Sequence, residues 1–362
     1  MSRGRVFIAV SGGVDSSVAA AMLKQDGYDC TAFYMITHDE GHHAAADAQH
    51  VCDDLGIELH ILDLRKDFQC VIDYFCETYG RGQTPNPCVY CNRAVKFGIL
   101  WDYAKARGAD YIATGHYAAI STYQDQPALA AAHDPTRDQS YVLSMIRREV
   151  LGHILFPMAD ITKDTTRRIA GELGLITQHK KDSQEICFIP DNDYIARLRK
   201  WRPDIGGKGK VIDMAGSVLG EHDGIHQFTI GQRRGLGIAL GTPAYVVRMD
   251  IAANTVTLGS KEDLLSGSLT AVDINWLIDP PTEPFTAKVK IRYNHSGTPA
   301  TVRPCPNQPN RAVIEFDKPV SAVTPGQAAV IYIAGEPGRI VAGGGWIERK
   351  TDQTTMKDSD AK

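Results

Sequence analysis

With 362 residues the chain is too long for one ordinary domain, and two or three are expected. Its 43% hydrophobic and 23% charged residues exclude a disordered chain, and a net charge of −4 excludes a globally basic nucleic-acid binder. Any RNA-binding surface must therefore be local. No run of about eighteen apolar residues is present, and Met1 to Arg5 leads straight into an apolar stretch. The expectation is a cytoplasmic protein with no membrane partner. Eight cysteines in such a setting read as thiols rather than a disulfide scaffold. Cys30, Cys52, Cys70 and Cys76 lie in apolar or periodic surroundings and are expected in the core.

Val6-Phe7-Ile8-Ala9-Val10 reads as a buried strand of a parallel sheet. Ser11-Gly12-Gly13-Val14-Asp15-Ser16 follows, and the small, apolar stretch from Ser17 to Lys24 reads as a helix. A glycine pair between strand and helix lets the backbone turn tightly, and the helix start favours an anion. Ser11 and Ser16 can add hydroxyl donors to phosphate oxygens. Asp15 is the odd member, since a carboxylate repels phosphate unless a metal ion or an N–H holds it. The GxxxxGK[ST] spacing of a Walker loop is absent, so the chemistry expected is adenylation and not γ-phosphoryl transfer.

Strand-like and helix-like runs then alternate. Strands are expected at Tyr28 to Ile36, Glu58 to Asp63 and Asp110 to Thr114. Helices are expected at Ala44 to Leu55, Lys66 to Tyr79 and Arg93 to Arg107. This is the signature of a doubly wound α/β sheet, whose ligands sit at the carboxyl ends of the strands. Ser11 to Ser16, Met35 and Gly115-His116 fall at three such ends. Lys163 to Leu173 and Asp193 to Trp201 continue helical, with basic residues at Arg167-Arg168, Lys180-Lys181 and Arg197, Arg199, Lys200 and Arg202. That cluster reads either as a solvated face or as a phosphate-backbone contact.

After Pro203 the chain becomes rich in Gly, Val and Ile. The expected division is residues 1–202 as a nucleotide-binding domain, 203–262 as a small β-rich domain, 263–349 as a β-barrel and 350–362 as a polar tail. In Thr286 to Tyr293, Ala287, Val289, Ile291 and Tyr293 alternate with Lys288, Lys290 and Arg292, predicting a buried face and a charged one.

Two segments carry reactive cysteines. Thr84-Pro85-Asn86-Pro87-Cys88-Val89-Tyr90-Cys91 is a proline-rich loop ending at a helix start, where the dipole is expected to lower a thiol's pKa. Lys181-Asp182-Ser183-Gln184-Glu185-Ile186-Cys187 places the second cysteine after a charged run. Cys88-x-x-Cys91 as half a zinc site lacks a second pair. Cys88, Cys91 and Cys187 as ligands of an iron–sulfur cluster stay open as an alternative, not the favoured one. The leading reading is a pair in which one sulfur carries a transferable sulfur and the other attacks it.

The strand–SGGxDS–helix unit resembles the loop of the PP-loop ATP pyrophosphatases. SGGVDSS, TPNPCVYCNRAVKFG, ATGHYA, RDQSYVLS, KKDSQEICFIP, FTIGQRRGLGI, KIRYN and TPGQAAVIY stand in the order seen in the tRNA-specific 2-thiouridylases, the MnmA/TrmU family. The resemblance runs from about Val6 to Glu348. It implies ATP, with Mg2+, on Ala9, Val10, Ser11, Gly12, Gly13, Val14, Asp15, Ser16, Met35 and Gly115. It implies adenylation of the C2 oxygen of a wobble uridine in the tRNAs for Lys, Glu and Gln. Cys187 carries a persulfide supplied by a sulfur-relay protein or cysteine desulfurase, and Cys91 frees the sulfur, giving 2-thiouridine, AMP and pyrophosphate. Asn86, Pro87 and Cys88 match the segment that contacts the target base. His116, Arg137, Asp138, Gln139, Arg292, Tyr293 and Gln327 match tRNA contacts. Many members have Asp where this chain has Cys88, which puts acid/base help at that position in doubt. The alternatives are another PP-loop adenylating enzyme and a non-catalytic RNA-binding module.

Overall fold

The computed structural model describes residues 2–39, 43–180, 186–238, 241–335 and 339–349. The segments 181–185 and 350–362, which hold part of the second cysteine motif and the tail, lie outside it.

Side chains of a strand alternate between faces, so Val6, Ile8 and Val10 join one buried cluster while Phe7 joins another. Such a strand has to lie between two helical layers. Accordingly β1 (Arg5–Ala9) is the centre of a five-stranded parallel sheet with β2 (Asp29–Ile36) on one side and β4 (Tyr111–Thr114) on the other. Beyond them lie β3 (Glu58–Asp63) and the short β7 (Ile154–Leu155), in the order β3-β2-β1-β4-β7. The order reverses between β1 and β4, which opens a crevice at their carboxyl ends. On one face, α1 (Val14–Gln25) buries Val18, Ala19, Ala20 and Leu23, and α2 (His43–Leu55) buries Ala48 and Cys52. On the other, α3 (Arg65–Gly80) buries Phe68, Val71 and Phe75.

The helix expected over Arg93 to Arg107 starts earlier. Asn86 caps it and Pro87 occupies its first turn, where a missing N–H costs nothing. It runs as α4 (Pro87–Cys91), a π-helical segment Asn92–Ile99, and α5 (Leu100–Lys105). A hairpin of β5 (Ala118–Tyr123) and β6 (Gln126–Ala131) leaves the first domain and pairs with the barrel through Ala130 and Ile340. The helices α6 (Ser140–Leu143), α7 (Lys163–Glu172) and α8 (Tyr194–Trp201) follow.

The second unit is a sheet of β8 (Gly209–Ile212), β9 (Val218–His222), β10 (Tyr245–Asp250) and β11 (Thr255–Gly259) around Val211, Phe228, Val246, Val256 and Leu258. The third contains β12 (Leu265–Trp276), β13 (Phe285–Lys290), β14 (Thr298–Cys305), β15 (Gln308–Ser321), β16 (Ala328–Ala334) and β17 (Arg339–Ile347). Pairing of β12 with β17 closes these six strands into a barrel.

Strand β16 joins the barrel to the first domain. Ala329 and Ile331 point into the barrel, whereas Ala328, Val330 and Tyr332 join the cluster that holds Phe75 and Tyr141. Burying each large side chain at this seam contributes about 1.5–3 kcal/mol. The expected alternation along Thr286 to Tyr293 holds for exposed Lys288 and Arg292 but fails at Lys290, which this seam buries, and at Tyr293, which is exposed. Lys290 is 8% exposed, its ammonium 6.0, 5.9 and 5.9 Å from the ring centres of Tyr141, Tyr293 and Tyr332. Burial lowers its pKa, and the nearby charge of Asp138 opposes that shift.

Candidate active site

The loop after β1 is held by its own hydroxyls. The Ser11 backbone N–H donates to Ser16 Oγ at 3.1 Å, and Ser16 Oγ donates to the Gly13 carbonyl at 3.1 Å. Ser17 Oγ donates to the same carbonyl at 2.9 Å. Ser16 therefore shapes the loop, and Ser11, exposed at its tip, has its Oγ 3.2 Å from Ser16 Oγ. The side chains of Val10 and Val14 are buried, so a nucleotide meets only their backbone. Ala9 and Met35 are half-buried against the neighbouring core.

Gly115, at the end of β4, is pressed onto this loop. A Cβ there would lie 2.6 Å from the Ser16 nitrogen and 2.8 Å from the Asp15 carbonyl carbon. Backbone cannot yield as a side-chain tip does. Gly115→Ala is expected to destabilise the protein by about 1–3 kcal/mol and to raise the KM for ATP about tenfold or more. Denaturant unfolding and initial-rate kinetics check both.

Asp15 finds the N–H donor that the sequence left open in a side chain. Lys163 Nζ donates to its two carboxylate oxygens at 2.7 and 2.9 Å, and Tyr117 OH donates to Oδ1 at 2.8 Å. Thr166 Oγ1 lies 2.9 Å from Tyr117 OH. The carboxylate thus ties the start of α1 to that of α7 and carries its own counter-charge. Sequence reasoning missed Lys163. Its signal was a lysine in the first turn of a helix, where the dipole disfavours a cation. Lys180, one of the basic cluster, has its Nζ donating to the Gly12 carbonyl at 2.9 Å and pairing with Asp47.

The other half of the site is built on α4. Asn86 Oδ1 accepts from the Val89 N–H at 3.3 Å, and the Asn86 N–H donates to Tyr74 OH at 3.2 Å. Tyr74 stacks on Tyr90 with ring centres 4.4 Å apart. From the barrel, Gln327 Nε2 donates to the carbonyls of Thr84 and Pro85 at 3.1 and 2.9 Å. Asn86, Pro87 and Gln327 thus come together, with Gln327 clamping the loop that presents Cys88.

Cys88, Cys91 and Cys187 are free thiols that interact electrostatically with one another. Cys91 is buried, whereas Cys88 and Cys187 are exposed to solvent. The helix start does not depress these thiols, contrary to expectation. Burial pushes Cys91 up to about 12 and Cys187 up to about 11, and raises Cys88 as well. Desolvation outweighs the dipole because the thiolate loses water on entering the cleft. Among the described residues no set of three or more His, Cys, Asp or Glu is placed to hold a metal ion. Among the described residues no helix is long and apolar enough to cross a membrane.

His116, after β4, has its Nδ1 2.7 Å from Thr114 Oγ1 and its ring against Phe97 and Phe156. Burial, and then the charge of Lys96, hold its pKa well below the usual range, so it serves as a neutral ring and not as a cation for phosphate. Asp138 is 4% exposed and its Oδ1 accepts from the N–H groups of Ala132 and Ser140 at 3.2 and 3.0 Å. It shapes the turn and is not itself a surface contact. Gln139 Oε1 accepts from the Tyr117 N–H at 2.9 Å, and Arg137 is half-buried on the same turn. Arg292 is exposed and donates to the Ser321 carbonyl at 3.0 Å, and Tyr293 is 39% exposed. In the basic segment Arg168, Arg197 and Arg202 pair with Glu172, Asp191 and Asp204. Exposed pairs of this kind add little stability.

Three family models match the chain. One described as "tRNA methyl transferase HUP domain" covers residues 4–191, one described as "tRNA methyl transferase PRC-barrel domain" covers 198–260, and one described as "Aminomethyltransferase beta-barrel domain" covers 266–347. A protein of Geobacter metallireducens named tRNA-specific 2-thiouridylase MnmA is 43% identical over 364 residues, spanning 96% of this chain and 97% of its own. One of the same name from Acetivibrio thermocellus is 43% identical over 366 residues, spanning 96% and 100%. Among solved structures, a 4-thiouridine synthetase–RNA complex with bound ATP aligns over 56% of this chain and 51% of its own, at 18% identity and a TM-score of 0.38.

Proposed function

The chain belongs to the tRNA-specific 2-thiouridylases, a family of tRNA sulfurtransferases, and on that premise we propose a division of labour between the two halves of its cleft. ATP binds over Ser11 to Ser16, with its phosphates against the start of α1 and any Mg2+ carried on the nucleotide. The C2 oxygen of the wobble uridine attacks the α-phosphorus, and pyrophosphate leaves. A urea-like carbonyl is a poor electrophile and its oxygen a poor leaving group; joining that oxygen to AMP repairs the second fault.

Cys187 carries the persulfide, received from a relay or desulfurase protein. Its terminal sulfur attacks C2 and AMP departs with the uridine's oxygen. Cys91 then attacks the Cys187 sulfur, leaving 2-thiouridine and a Cys91–Cys187 disulfide for a reductant. Such a cycle suits a reducing cytoplasm. The tRNAs are those for Lys, Glu and Gln, with Asn86 and Cys88 beside the base and Arg137, Arg292 and Tyr293 on the tRNA. Cys88 stands where a carboxylate is usual, and its raised pKa makes it a neutral thiol at pH 7 that cannot serve as the anionic base.

The observation that carries this reading is that Cys91 and Cys187 stand as free thiols in a chain 43% identical, over 96% of its length, to a protein named tRNA-specific 2-thiouridylase. Incubation with unmodified tRNA, ATP and a persulfide donor, followed by nucleoside mass spectrometry, tests it. An oxygen-to-sulfur mass gain at the wobble uridine is expected. Its absence with every sulfur source would leave the protein an RNA-binding module.

A further inference from the structure

Residues Arg81 to Asn86 connect α3 to α4, the helix that carries Cys88 and Cys91. The connection begins with a tight stop. Gly82, at φ +59°, donates its N–H to the Tyr79 carbonyl at 2.9 Å, and the Gln83 N–H donates to the Thr78 carbonyl at 3.0 Å. The carbonyls of Arg81 and Gly82 are left without a partner in the helix, at its negative end.

Arg349, which follows β17, takes up both of them. Its guanidinium donates to the Arg81 carbonyl at 2.9 Å and the Gly82 carbonyl at 2.7 Å. It also donates to the Met249 carbonyl of the second unit at 3.3 Å. A guanidinium presents its donors in a rigid fork, so three such bonds fix the relative places of the carbonyls they join. Ile251 packs over the same turn so closely that a Cβ on Gly82 would lie 2.1 Å from its Cδ1.

The far end of the connection is gripped by the same two units. The Thr84 N–H donates to the Pro325 carbonyl at 3.0 Å, and Thr84 Oγ1 donates to Thr229 Oγ1 at 3.2 Å. A Cβ on Gly326 would lie 2.9 Å from both Gln83 Cβ and the Thr84 carbonyl oxygen, so the barrel's turn lies directly on this backbone. The carbonyls of Arg81, Gly82, Thr84 and Pro85 are thus all taken by two side chains, Arg349 and Gln327, that lie outside the first domain.

We propose that Arg349 is a positioning residue for the sulfur chemistry: by tying the turn after α3 to the second unit and to the end of the barrel, it fixes where α4 begins and so where Cys88 and Cys91 stand. The inference rests on the thiolation reading above, in which Cys91 has to reach the Cys187 sulfur. The nucleotide loop is outside this grip. It is held by its own hydroxyls, by Lys163 through Asp15 and by Lys180, so its contacts with ATP do not depend on Arg349.

The test compares wild type with Arg349→Met and with Arg148→Met. The second variant removes a different contact between the first domain and the barrel, the pair with Asp279 at 2.7 Å. Thiolation kinetics are measured on each, together with alkylation by iodoacetamide resolved by peptide mass spectrometry. Arg349→Met is expected to lower kcat about tenfold while the KM for ATP stays within about twofold. It should speed alkylation of the buried Cys91 by about threefold or more, while Cys52, buried in α2, reacts at the wild-type rate. Arg148→Met should leave kcat and both thiols unchanged. An unchanged kcat in Arg349→Met, or equal acceleration of Cys91 and Cys52, would make Arg349 a contributor to stability alone and overturn the proposal. A wild-type enzyme that makes no 2-thiouridine would instead sink the thiolation reading, while the comparison of Cys91 with Cys52 still tests Arg349.

Discussion

Cys187→Ser is expected to lower 2-thiouridine formation by about three orders of magnitude or more, the scale seen when a nucleophile is removed. ATP–pyrophosphate exchange on tRNA should fall less than tenfold, because the activating loop follows a different strand. A hydroxyl cannot carry a persulfide, so the loss is chemical and not a matter of packing; Cys187 is exposed and its removal opens no cavity. The pH dependence sharpens the expectation. With the thiol pushed up to about 11, the neutral form dominates at pH 7. Loading with a persulfide donor should therefore accelerate from pH 7 toward pH 10 in wild type and be absent at every pH in the variant. Thiolation by Cys187→Ser at a rate near wild type would remove this residue from the mechanism.

Asp15→Ala should cost about 3 kcal/mol of stability, at the lower edge of the range for breaking a buried pair. The Lys163 side chain is only 8% exposed, and the substitution deprives it of the carboxylate that accepts two of its bonds. Asp15 is itself 31% exposed, which keeps the cost from being larger. Adding Lys163→Met to Asp15→Ala should recover more than half of the lost stability, since the ammonium then no longer needs a counter-charge. Denaturant midpoints measure both, and additive losses would show that the two residues do not act as a pair. ATP affinity should fall in the single variant as well, because Asp15 fixes where α1 begins.

The α/β half was legible in the sequence because its central strands are apolar runs buried on both faces, and because glycines and caps mark its turns. Glu58–Asp63 runs as expected, and Asp29–Ile36 and Lys163–Glu172 shift by a single residue at one end. The readings that failed involve contacts between units. Lys290 alternates with apolar neighbours and so reads as solvated, yet the face it occupies is covered by the first domain through Tyr141. The hairpin Ala118–Tyr123 and Gln126–Ala131 is local in sequence, while its partner Ile340 is more than two hundred residues away.

Within the site, the SGGVDS loop and the cysteines could be found from residue type and spacing. Lys163 left only a weak signal, a lysine in the first turn of a helix, because its pairing with Asp15 across elements makes no local pattern. The thiol pKa values went the opposite way from a dipole argument, since the sequence shows a helix start but not how much water the fold removes from it.

The central claim is that the uridine's own oxygen leaves on AMP and a sulfur takes its place. A tRNA carrying isotopically heavy oxygen at C2 of the wobble uridine tests this in one turnover with the persulfide-loaded enzyme and ATP. The prediction is one heavy oxygen in each AMP released, in equal amount to the 2-thiouridine formed. Unlabelled AMP, with the heavy oxygen recovered in water or pyrophosphate, would contradict it.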